Sequence, residues 1–207
     1  MKNVLPINHP LCSDLLGKLR DIETEASSFR LIVKNLTYFL AVEATRDLNT
    51  TAKKIRTPVA EAEARRLSVR VGLFPILRAG LYMADPILDL IPSASTYHLG
   101  MYRNEETAEP VEYYNKLEDA EPVEFAFIMD PMLATGGSAS LAIETLRRWG
   151  VRKIKMLSLI ASQEGIGDLA TRYPDIDFHC CVIDPILNQQ KYILPGLGDA
   201  GDRIFNT

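Results

Sequence analysis

The segment FIMDPMLATGGSA, residues 127–139, places one carboxylate directly after an apolar run and two adjacent glycines shortly after it. The proline that follows Asp130 donates no backbone hydrogen bond, so we expect a strand to end there. Gly136 and Gly137 allow positive φ and let backbone N–H groups approach a ligand, and Ser138 is predicted to cap the following helix. A glycine turn that leads into a helix N-terminus is suited to bind phosphate.

A ribose 5-phosphate fits both parts of this segment. Asp130 can accept hydrogen bonds from ribose hydroxyls while the glycine turn binds the 5-phosphate. The segment lacks the lysine of the GxxxxGK(S/T) phosphate loop and the spacing of GxGxxG, so neither nucleotide-binding motif applies. Considered alone, a glycine-rich turn with a buried capping aspartate is the simpler interpretation.

Two further segments carry chemistry of the same kind. In PILRAG, residues 75–80, Arg78 follows a predicted strand, where its guanidinium can bind a second anionic group through two hydrogen bonds. In PGLGDAGDR, residues 195–203, glycines and carboxylates are mixed, which predicts a loop that wraps a ligand and can hold a metal ion through Asp199 or Asp202. Three such loops in one chain favour a binding site over unrelated surface turns.

The elements that must position these loops alternate along the chain. Residues 11–47 have apolar positions at helical spacing and predict two amphipathic helices. From residue 69 onward we predict strands at 69–77, 94–102, 124–129, 153–161 and 177–183, and helices at 79–91, 138–150 and 164–173. This alternation predicts an α/β fold with a parallel sheet and helices on both faces. Ligands of such folds bind at the carboxyl ends of the strands, where the three loops fall.

The composition indicates one domain that needs no disulfide. The chain has 207 residues, 47% of them hydrophobic, and its cysteines, Cys12, Cys180 and Cys181, lack CxxC spacing. This is typical of a reduced intracellular protein, and the N-terminus does not resemble a signal peptide, so we predict a cytoplasmic location. The net charge of −4 argues against a general nucleic-acid-binding protein, and no apolar run reaches membrane-spanning length. We expect neither a nucleic acid nor a membrane as partner.

Four segments together resemble the uracil phosphoribosyltransferases: PILRAG, EYYNKL, DPMLATGGSA and YILPGLGDAGDR. The glycine turn alone marks only the wider phosphoribosyltransferase superfamily, whereas GLGDAGDR indicates uracil. The resemblance covers nearly the whole chain and implies a type I phosphoribosyltransferase fold in a single domain, residues 1–207. It also implies a twisted parallel sheet flanked by helices, with an N-terminal helical segment, a β-arm at 50–67, a flap at 103–125 and a base-binding hood at 184–207. Within the arm, AEAEARR by itself favours a helix.

The family reaction joins N1 of uracil to C1 of 5-phosphoribosyl 1-diphosphate (PRPP) and releases UMP and diphosphate, so the resemblance implies a pentosyltransferase. It implies Arg78 and Asp199 as catalytic residues, with Asp199 near a Mg²⁺ ion that binds with PRPP. The implied uracil contacts are Ile193, Gly198, Asp199 and Ala200. The implied PRPP contacts are Arg78, Arg103, Asp130, Pro131, Met132, Leu133, Ala134, Thr135, Gly136, Gly137, Ser138 and Asp199.

Electrostatics are expected to dominate this chemistry. Arg78, Arg103 and Mg²⁺ can stabilise the departing diphosphate, and the flap can keep water from the developing ribosyl cation. No histidine or glutamate stands out as a general base. The three histidines, His9, His98 and His179, are scattered and are predicted to be structural or surface residues, and Cys180 and Cys181 are predicted to be buried in a strand.

Three parts of the chain depart from the family pattern. Glu118 stands where a proline usually follows KL, which we expect the flap to tolerate. Gln189, Gln190 and Lys191 stand where the family usually has LNE and a glycine before the tyrosine, and the missing glycine is expected to shift the turn that leads to Ile193. Asn206 stands where a glycine is common, and asparagine tolerates left-handed backbone, so little change is expected there.

Two alternatives stay open. An RNA-binding regulator of pyrimidine operons with vestigial transferase activity also resembles this fold, although the acidic net charge argues against it. A transferase for another nucleobase is the second, but orotate would require an extra cation in the base pocket. Family members commonly form dimers or larger homo-oligomers, and some are activated by GTP, so both properties are expectations here.

Overall fold

The computed structural model describes residues 2–103, 110–117 and 120–207. Its strands are β1 (Val4–Pro6), β2 (Thr50–Arg56), β3 (Glu61–Leu67), β4 (Val71–Leu77), β5 (Ser95–Thr96), β6 (Leu99–Arg103), β7 (Pro110–Tyr114), β8 (Phe125–Met129), β9 (Met132–Leu133), β10 (Lys153–Ser162), β11 (Asp177–Asp184), β12 (Ile186–Leu187) and β13 (Ile193–Leu194). Its α-helices are α1 (Pro10–Arg20), α2 (Ala26–Ala44), α3 (Ala84–Leu90), α4 (Gly137–Trp149), α5 (Gln163–Arg172) and α6 (Ala200–Phe205). A 3₁₀ turn, Ala79–Met83, precedes α3.

The central sheet is parallel except at one edge. Its strand order is β1-β11-β10-β8-β4-β6-β7, with β5 beside β4 and β9 beside β10, and among the described residues β6 and β7 are its antiparallel pair. The middle strand β8, FAFIM, is buried along its whole length because helices cover both faces. The predicted fold class is therefore confirmed.

Two hydrophobic clusters lie on opposite faces of this sheet. One is built on α1, α2 and α3 and includes Phe29, Leu36 and Phe127. The other is built on α4 and α5 and includes Ile143 and Leu169. The predicted amphipathic patterns thus mark the buried faces of the helices, and the sheet is fixed between them with its carboxyl edge free for a site.

Local details differ from the sequence-based expectation. The helix predicted at 79–91 is a 3₁₀ turn followed by α3, and the strand predicted at 94–102 is divided into β5 and β6. The sequence analysis did not predict β1, which pairs with β11 at the sheet edge. Edge strands this short carry a weak sequence signal, because only three residues contribute to the pattern.

The β-arm is confirmed against its local helical preference. β2 and β3 form an antiparallel hairpin in which Lys54 faces Glu63 and Arg56 faces Glu61. Cross-strand pairs of opposite charge stabilise a hairpin, and this pairing overrides the helix propensity of AEAEARR. None of the α-helices in the part of the chain that the structure describes is long and apolar enough to cross a membrane.

Candidate active site

A cavity of about 390 Å³ opens at the carboxyl edge of the sheet. One wall comes from the ends of β4 and β8, and the other comes from the C-terminal hood. The lining residues are Ala79, Asp130, Met132, Ala134, Gln190, Lys191, Tyr192, Ile193, Gly198, Asp199, Ala200 and Gly201. Segments that lie more than 50 residues apart in sequence thus meet where parallel sheets bind ligands.

Residues 130–138, which we call the phosphate loop, are held by the backbone of β10. The N–H of Asp130 donates to the carbonyl of Leu157 at 3.1 Å, and the carbonyl of Pro131 accepts from Leu159 and Ile160 at 3.1 and 3.0 Å. Strand β8 therefore ends before the proline, as predicted, and a second short strand, β9, begins directly after it. These bonds fix the start of the loop without any help from side chains.

The end of the phosphate loop enters α4 through a left-handed glycine. Gly136 has φ 80° and is the N-cap of α4, so the prediction that Ser138 caps this helix is wrong. Ser138 lies inside the first turn of the helix instead, where it and Thr135 are half-buried beside Gly137. Backbone N–H groups at the start of a helix remain free for an anion, which agrees with the predicted phosphate site.

A serine that the sequence analysis missed fastens the phosphate loop to α5. The hydroxyl of Ser162 donates to the carbonyl of Ala134 at 2.6 Å and accepts from the N–H of Gly165 at 2.9 Å, which makes Ser162 the N-cap of α5. A Cβ atom at Gly165 would lie 2.0 Å from the carbonyl oxygen of Ala134, so only glycine permits this contact. Gly165 lies in the segment QEGI, residues 163–166, and nothing in the local pattern of that segment indicates which loop it touches.

Two carboxylates share the cavity. The half-buried carboxylate of Asp130 accepts from the N–H of Met132 at 3.2 Å. Burial raises the pKa of Asp130 to about 6, partly offset by the hydrogen bond from Met132 and reinforced by the negative charge of Asp199. Asp199 is therefore close enough to Asp130 for their negative charges to repel each other. The sequence alone does not show this proximity.

Asp199 also has a structural contact. It is the N-cap of α6, and its Oδ1 accepts from the N–H of Asp202 at 2.9 Å. Asp202 in turn accepts from Nη2 of Arg78 at 2.9 Å, in an exposed ion pair. A Cβ atom at Gly201 would lie 3.1 Å from Oδ1 of Asp199 and 3.5 Å from Nη2 of Arg78, so these groups converge on one glycine.

The corner that carries Arg78 packs tightly against β8. The peptide bond between Leu77 and Arg78 is cis. A Cβ atom at Gly80 would lie 2.4 Å from the carbonyl oxygen of Met129, so glycine is required where this corner crosses the end of the neighbouring strand. PILRAG and the phosphate loop are therefore neighbours in space, as the predicted sheet required.

The turn before Ile193 has Lys191 in a left-handed conformation. Lys191 adopts φ 66°, and its N–H donates to the carbonyl of Asn188 at 2.9 Å. The N–H of Tyr192 donates to the side chain of Asn188 at 2.8 Å, and β12 and β13 close the turn as a small hairpin. Ile193, directly after this turn, is buried and lines the cavity. Asn206 also adopts a left-handed conformation, with φ 59°, as expected.

Arginine side chains hold the hood against the N-terminal helices. Arg203 donates to the carbonyl of Leu19 at 2.7 Å and lies over the ring of Phe29 at 4.4 Å from its centroid. Arg30 of α2 donates to the carbonyl of Ile204 at 2.9 Å. The sequence analysis missed these residues, because an arginine on a helix surface carries no sign of a partner 174 residues away.

The structure separates the predicted site residues into four groups. Arg103 ends β6, but its side chain lies outside the described residues, as do residues 104–109 and 118–119 of the predicted flap, including Glu118. Pro131, Leu133 and Gly136 are buried, so they support the phosphate loop. The residues that line the shared cavity are Asp130, Met132, Ala134, Ile193, Gly198, Asp199 and Ala200. The predicted site residues that are accessible but outside this lining are Arg78, Thr135, Gly137 and Ser138.

The histidines and cysteines lie away from the cavity lining, as predicted. His9 caps α1 through its Nδ1, and His179 is buried in β11, where burial and Lys155 lower its pKa to about 4. Cys12, Cys180 and Cys181 are free and buried. None of these groups is placed to act as a base in the cavity.

A family model and individual relatives indicate the same family for this chain. The model of the family "Uracil phosphoribosyltransferase" matches residues 6–207. A uracil phosphoribosyltransferase of Roseiflexus sp. (strain RS-1) is 50% identical over 207 residues, which cover 100% of both chains. A uracil phosphoribosyltransferase of Campylobacter concisus is 47% identical, again over 100% of both chains.

Solved structures share the fold. The AQ2163 protein from Aquifex aeolicus superposes with a TM-score of 0.92 at 33% identity, covering 98% of this chain and 97% of that one. An adenine phosphoribosyltransferase from Thermoanaerobacter pseudethanolicus has a TM-score of 0.50 at 12% identity, covering 79% of this chain and 86% of its own. The second likeness concerns the fold alone.

Proposed function

The chain belongs to the uracil phosphoribosyltransferase family, and from this premise we propose that it converts uracil and PRPP to UMP and diphosphate. One observation carries the proposal: the phosphate loop and the hood, which resemble the sugar-phosphate and base sites of the family, line the same cavity. The chain is then a pentosyltransferase of pyrimidine salvage. The two relatives that are 47% and 50% identical are both uracil phosphoribosyltransferases, so they support neither an RNA-binding regulator nor a transferase for another base.

The ribose 5-phosphate is proposed to occupy the phosphate loop. Backbone N–H groups at the start of α4 bind the phosphate, and the hydroxyls of Thr135 and Ser138 are exposed enough to add hydrogen bonds. Asp130 accepts from the ribose hydroxyls when it is ionised. Since this carboxylate has a pKa of about 6, it is largely ionised at neutral pH.

The diphosphate is proposed to bind beside Arg78. In the structure this guanidinium is exposed and paired with Asp202, and exposed pairs are weak enough to exchange partners. A diphosphate carries more negative charge than a single carboxylate, so it competes well for the same guanidinium. Arg103 is proposed to contribute from the end of β6, and the flap to cover the bound PRPP.

Mg²⁺ fits the carboxylates of this cavity. The described residues contain no group of three or more histidines, cysteines or carboxylates that could hold a metal without a ligand. Mg²⁺ commonly binds one or two carboxylates together with substrate phosphates and waters, and Asp199 and Asp130 provide such carboxylates. When bound, the ion would neutralise charge on the diphosphate, while the two carboxylates stabilise positive charge that develops at C1 of the ribose.

Backbone groups of Ile193 and of residues 198–200 are proposed to bind the edge of uracil. Peptide N–H and C=O groups can match the alternating donors and acceptors of the base. The only charged side chain of the hood in the cavity lining, apart from Lys191, is the acid Asp199. Because Asp199 would repel the carboxylate of orotate and Lys191 would attract it, orotate is included in the assay below.

The function is tested by supplying PRPP with uracil, orotate, hypoxanthine or adenine, with and without Mg²⁺ and GTP. UMP should form from uracil in a Mg²⁺-dependent reaction, and the other bases should give little or no product. Failure to form UMP from uracil would contradict the proposal. GTP activation rests on the family resemblance alone and is decided by the same assay, and the cytoplasmic location stays a prediction.

The role of Asp199 is tested separately. The variant Asp199→Asn keeps an oxygen that can cap α6, because asparagine is also a good N-cap residue. We expect kcat to fall while the free energy of unfolding stays within about 1 kcal/mol of the unchanged chain. Full activity in this variant would remove Asp199 from the catalytic residues.

We also propose that the chain forms a homo-oligomer through its β-arm. Every residue of β2 and β3 is exposed except Ile55 and Ala64, which are half-buried, and Val59 at the tip is 95% exposed. An isolated two-stranded hairpin is only marginally stable in water, so a second copy is the partner we propose. Replacing residues 51–66 by a short glycine linker should convert an oligomer to a monomer in sedimentation velocity, and an unchanged mass would contradict the role of the arm.

A further inference from the structure

Two arginines hold consecutive carbonyl groups of the hood loop, which we define as residues 195–201. Nη1 of Arg20 donates to the carbonyl of Gly196 at 2.8 Å, and Nη1 of Arg203 donates to the carbonyl of Leu197 at 3.1 Å. Neither arginine lines the cavity of about 390 Å³. Both therefore hold the hood loop from outside this cavity.

Arg20 is itself fixed by a buried carboxylate. Its two terminal nitrogens donate to the two oxygens of Asp184, each at 2.7 Å, and the side chain of Asp184 is only 4% exposed. Oδ2 of Asp184 also accepts from the N–H of Gly196 at 2.9 Å. The single ion pair thus binds both polar backbone groups of Gly196, through charge-assisted hydrogen bonds.

Gly196 is the residue of the hood loop that packs against the backbone of Ile193, a residue proposed to contact the base. Its φ is 57°, and a Cβ atom there would lie 2.1 Å from the carbonyl oxygen of Ile193. The position of Gly196 therefore sets the distance between Ile193 and Gly198, which are the two sides of the proposed uracil site. A displacement of this one residue would move backbone groups that must meet the edge of the base.

We propose that Arg20 is a positioning residue for uracil: with Asp184 it fixes Gly196, so that the backbone of the hood loop is preorganised to bind the base. This inference rests on the proposed function. Preorganised binding groups lose little conformational freedom when the ligand binds. The phosphate loop receives its support from β10 and Ser162 instead, so the effect of Arg20 falls on uracil and not on PRPP.

The test compares the kinetics of Arg20→Lys with those of the unchanged chain. Lysine keeps the charge but cannot make two parallel bonds to Asp184 while reaching Gly196. We expect KM for uracil to rise roughly tenfold or more, and KM for PRPP to change by less than about twofold. The matched control is Arg147→Lys, because Arg147 also contacts both oxygens of one carboxylate, that of Asp175, at 2.7 Å, but away from the hood.

Two further measurements separate positioning from stability. In Arg20→Ala, millimolar guanidinium chloride should restore part of the lost affinity for uracil, since it can refill the site beside Asp184. Arg203→Lys should raise KM for uracil in the same direction, because it weakens the second carbonyl contact, at Leu197. If Arg20→Lys does not fold, Arg203→Lys is used to decide the inference. The change in KM for uracil is then compared with the change in KM for PRPP in that variant.

The outcomes are distinct. If the unchanged chain makes UMP but both variants leave KM for uracil unaltered, or raise both KM values equally, the positioning role is overturned while the proposed function stands. If the unchanged chain makes no UMP from uracil, the proposed function fails and the inference fails with it. A rise confined to the KM for uracil, with partial rescue by guanidinium, supports the inference.

Discussion

The phosphate loop and the hood meet in one cavity, yet they are held in different ways. The phosphate loop is fixed mainly by backbone bonds to the adjacent strand β10, at Leu157, Leu159 and Ile160. The hood is fixed by charged side chains from distant helices, such as Arg20 on Asp184 across 164 residues. The proposed sugar-phosphate side is therefore part of the sheet, whereas the proposed base side depends on a few ion pairs and hydrogen bonds.

This difference separates two sources of rigidity. A backbone ladder is shared among many peptide groups, so no single side chain controls it. A buried ion pair concentrates the support in two residues, and losing either partner leaves an uncompensated charge. We therefore expect substitutions in the hood supports to have larger effects than substitutions in the phosphate loop.

The largest expected effect comes from breaking the hood support at Asp184. In Asp184→Asn the guanidinium of Arg20 loses its buried counter-charge, which should lower the free energy of unfolding by about 3 kcal/mol. Urea denaturation measures this loss. The control Asp175→Asn removes an exposed pair and should cost less than about 1 kcal/mol, and equal losses in the two variants would contradict the contrast.

The second prediction concerns the carboxylate of the phosphate loop. Asp130 has its pKa raised to about 6 in the folded chain, so between about pH 4 and pH 6 the folded state binds more protons than the unfolded state, and stability falls as pH rises. Asp130→Asn removes this penalty and should raise the free energy of unfolding by about 2 kcal/mol at pH 7, while KM for PRPP rises.

Urea denaturation at pH 4 and at pH 7 checks this prediction. The stabilisation by Asp130→Asn should be present at pH 7 and should disappear at pH 4, where the aspartate is protonated in the folded chain. The same stabilisation at both pH values would show that charge is not its cause. In the unchanged chain, kcat/KM for PRPP should rise as pH increases through about 6, as the ribose acceptor ionises.

The third prediction tests the backbone of the phosphate loop. Gly136→Ala places a side chain at φ 80°, where its Cβ atom would lie 2.9 Å from the side chain of Leu169. We expect a loss of about 1 to 2 kcal/mol in the free energy of unfolding. The control is Gly17→Ala in α1, where a Cβ atom meets nothing within 4 Å, so stability should increase by up to about 1 kcal/mol.

The smallest expected effect concerns Lys191, in the turn of the hood that leads to Ile193. Lys191 adopts φ 66°, a conformation that costs a non-glycine residue about 1 kcal/mol, and glycine would relieve it at the expense of a more flexible unfolded chain. Lys191→Gly should therefore increase stability by about 0.5 kcal/mol. Asn206→Gly should give a smaller gain, since asparagine already tolerates this conformation, and thermal unfolding of both variants measures the difference.

The sequence predicted the alternation of strands and helices because hydrophobic periodicity is a local property. Prediction from the sequence failed where contacts with other segments or side chains decide the local structure. AEAEARR became β3 because its charges pair with β2. The cap of α4 is Gly136 and not Ser138, because the loop enters the helix two residues earlier in a left-handed conformation. The turn at Lys191 depends on Asn188, whose side chain accepts a hydrogen bond from the N–H of Tyr192.

The sequence by itself determined the chemistry of the phosphate loop, the position of Arg78 and the glycine-rich hood. Glycine, proline and aspartate affect the backbone next to them, so their structural effects can be predicted from the adjacent residues. The tertiary structure decided that Asp130 and Asp199 share one cavity and that Arg20 binds Asp184. Contacts between residues far apart in sequence depend on how the strands are ordered and how helices pack on them, and this information is present only in the folded chain.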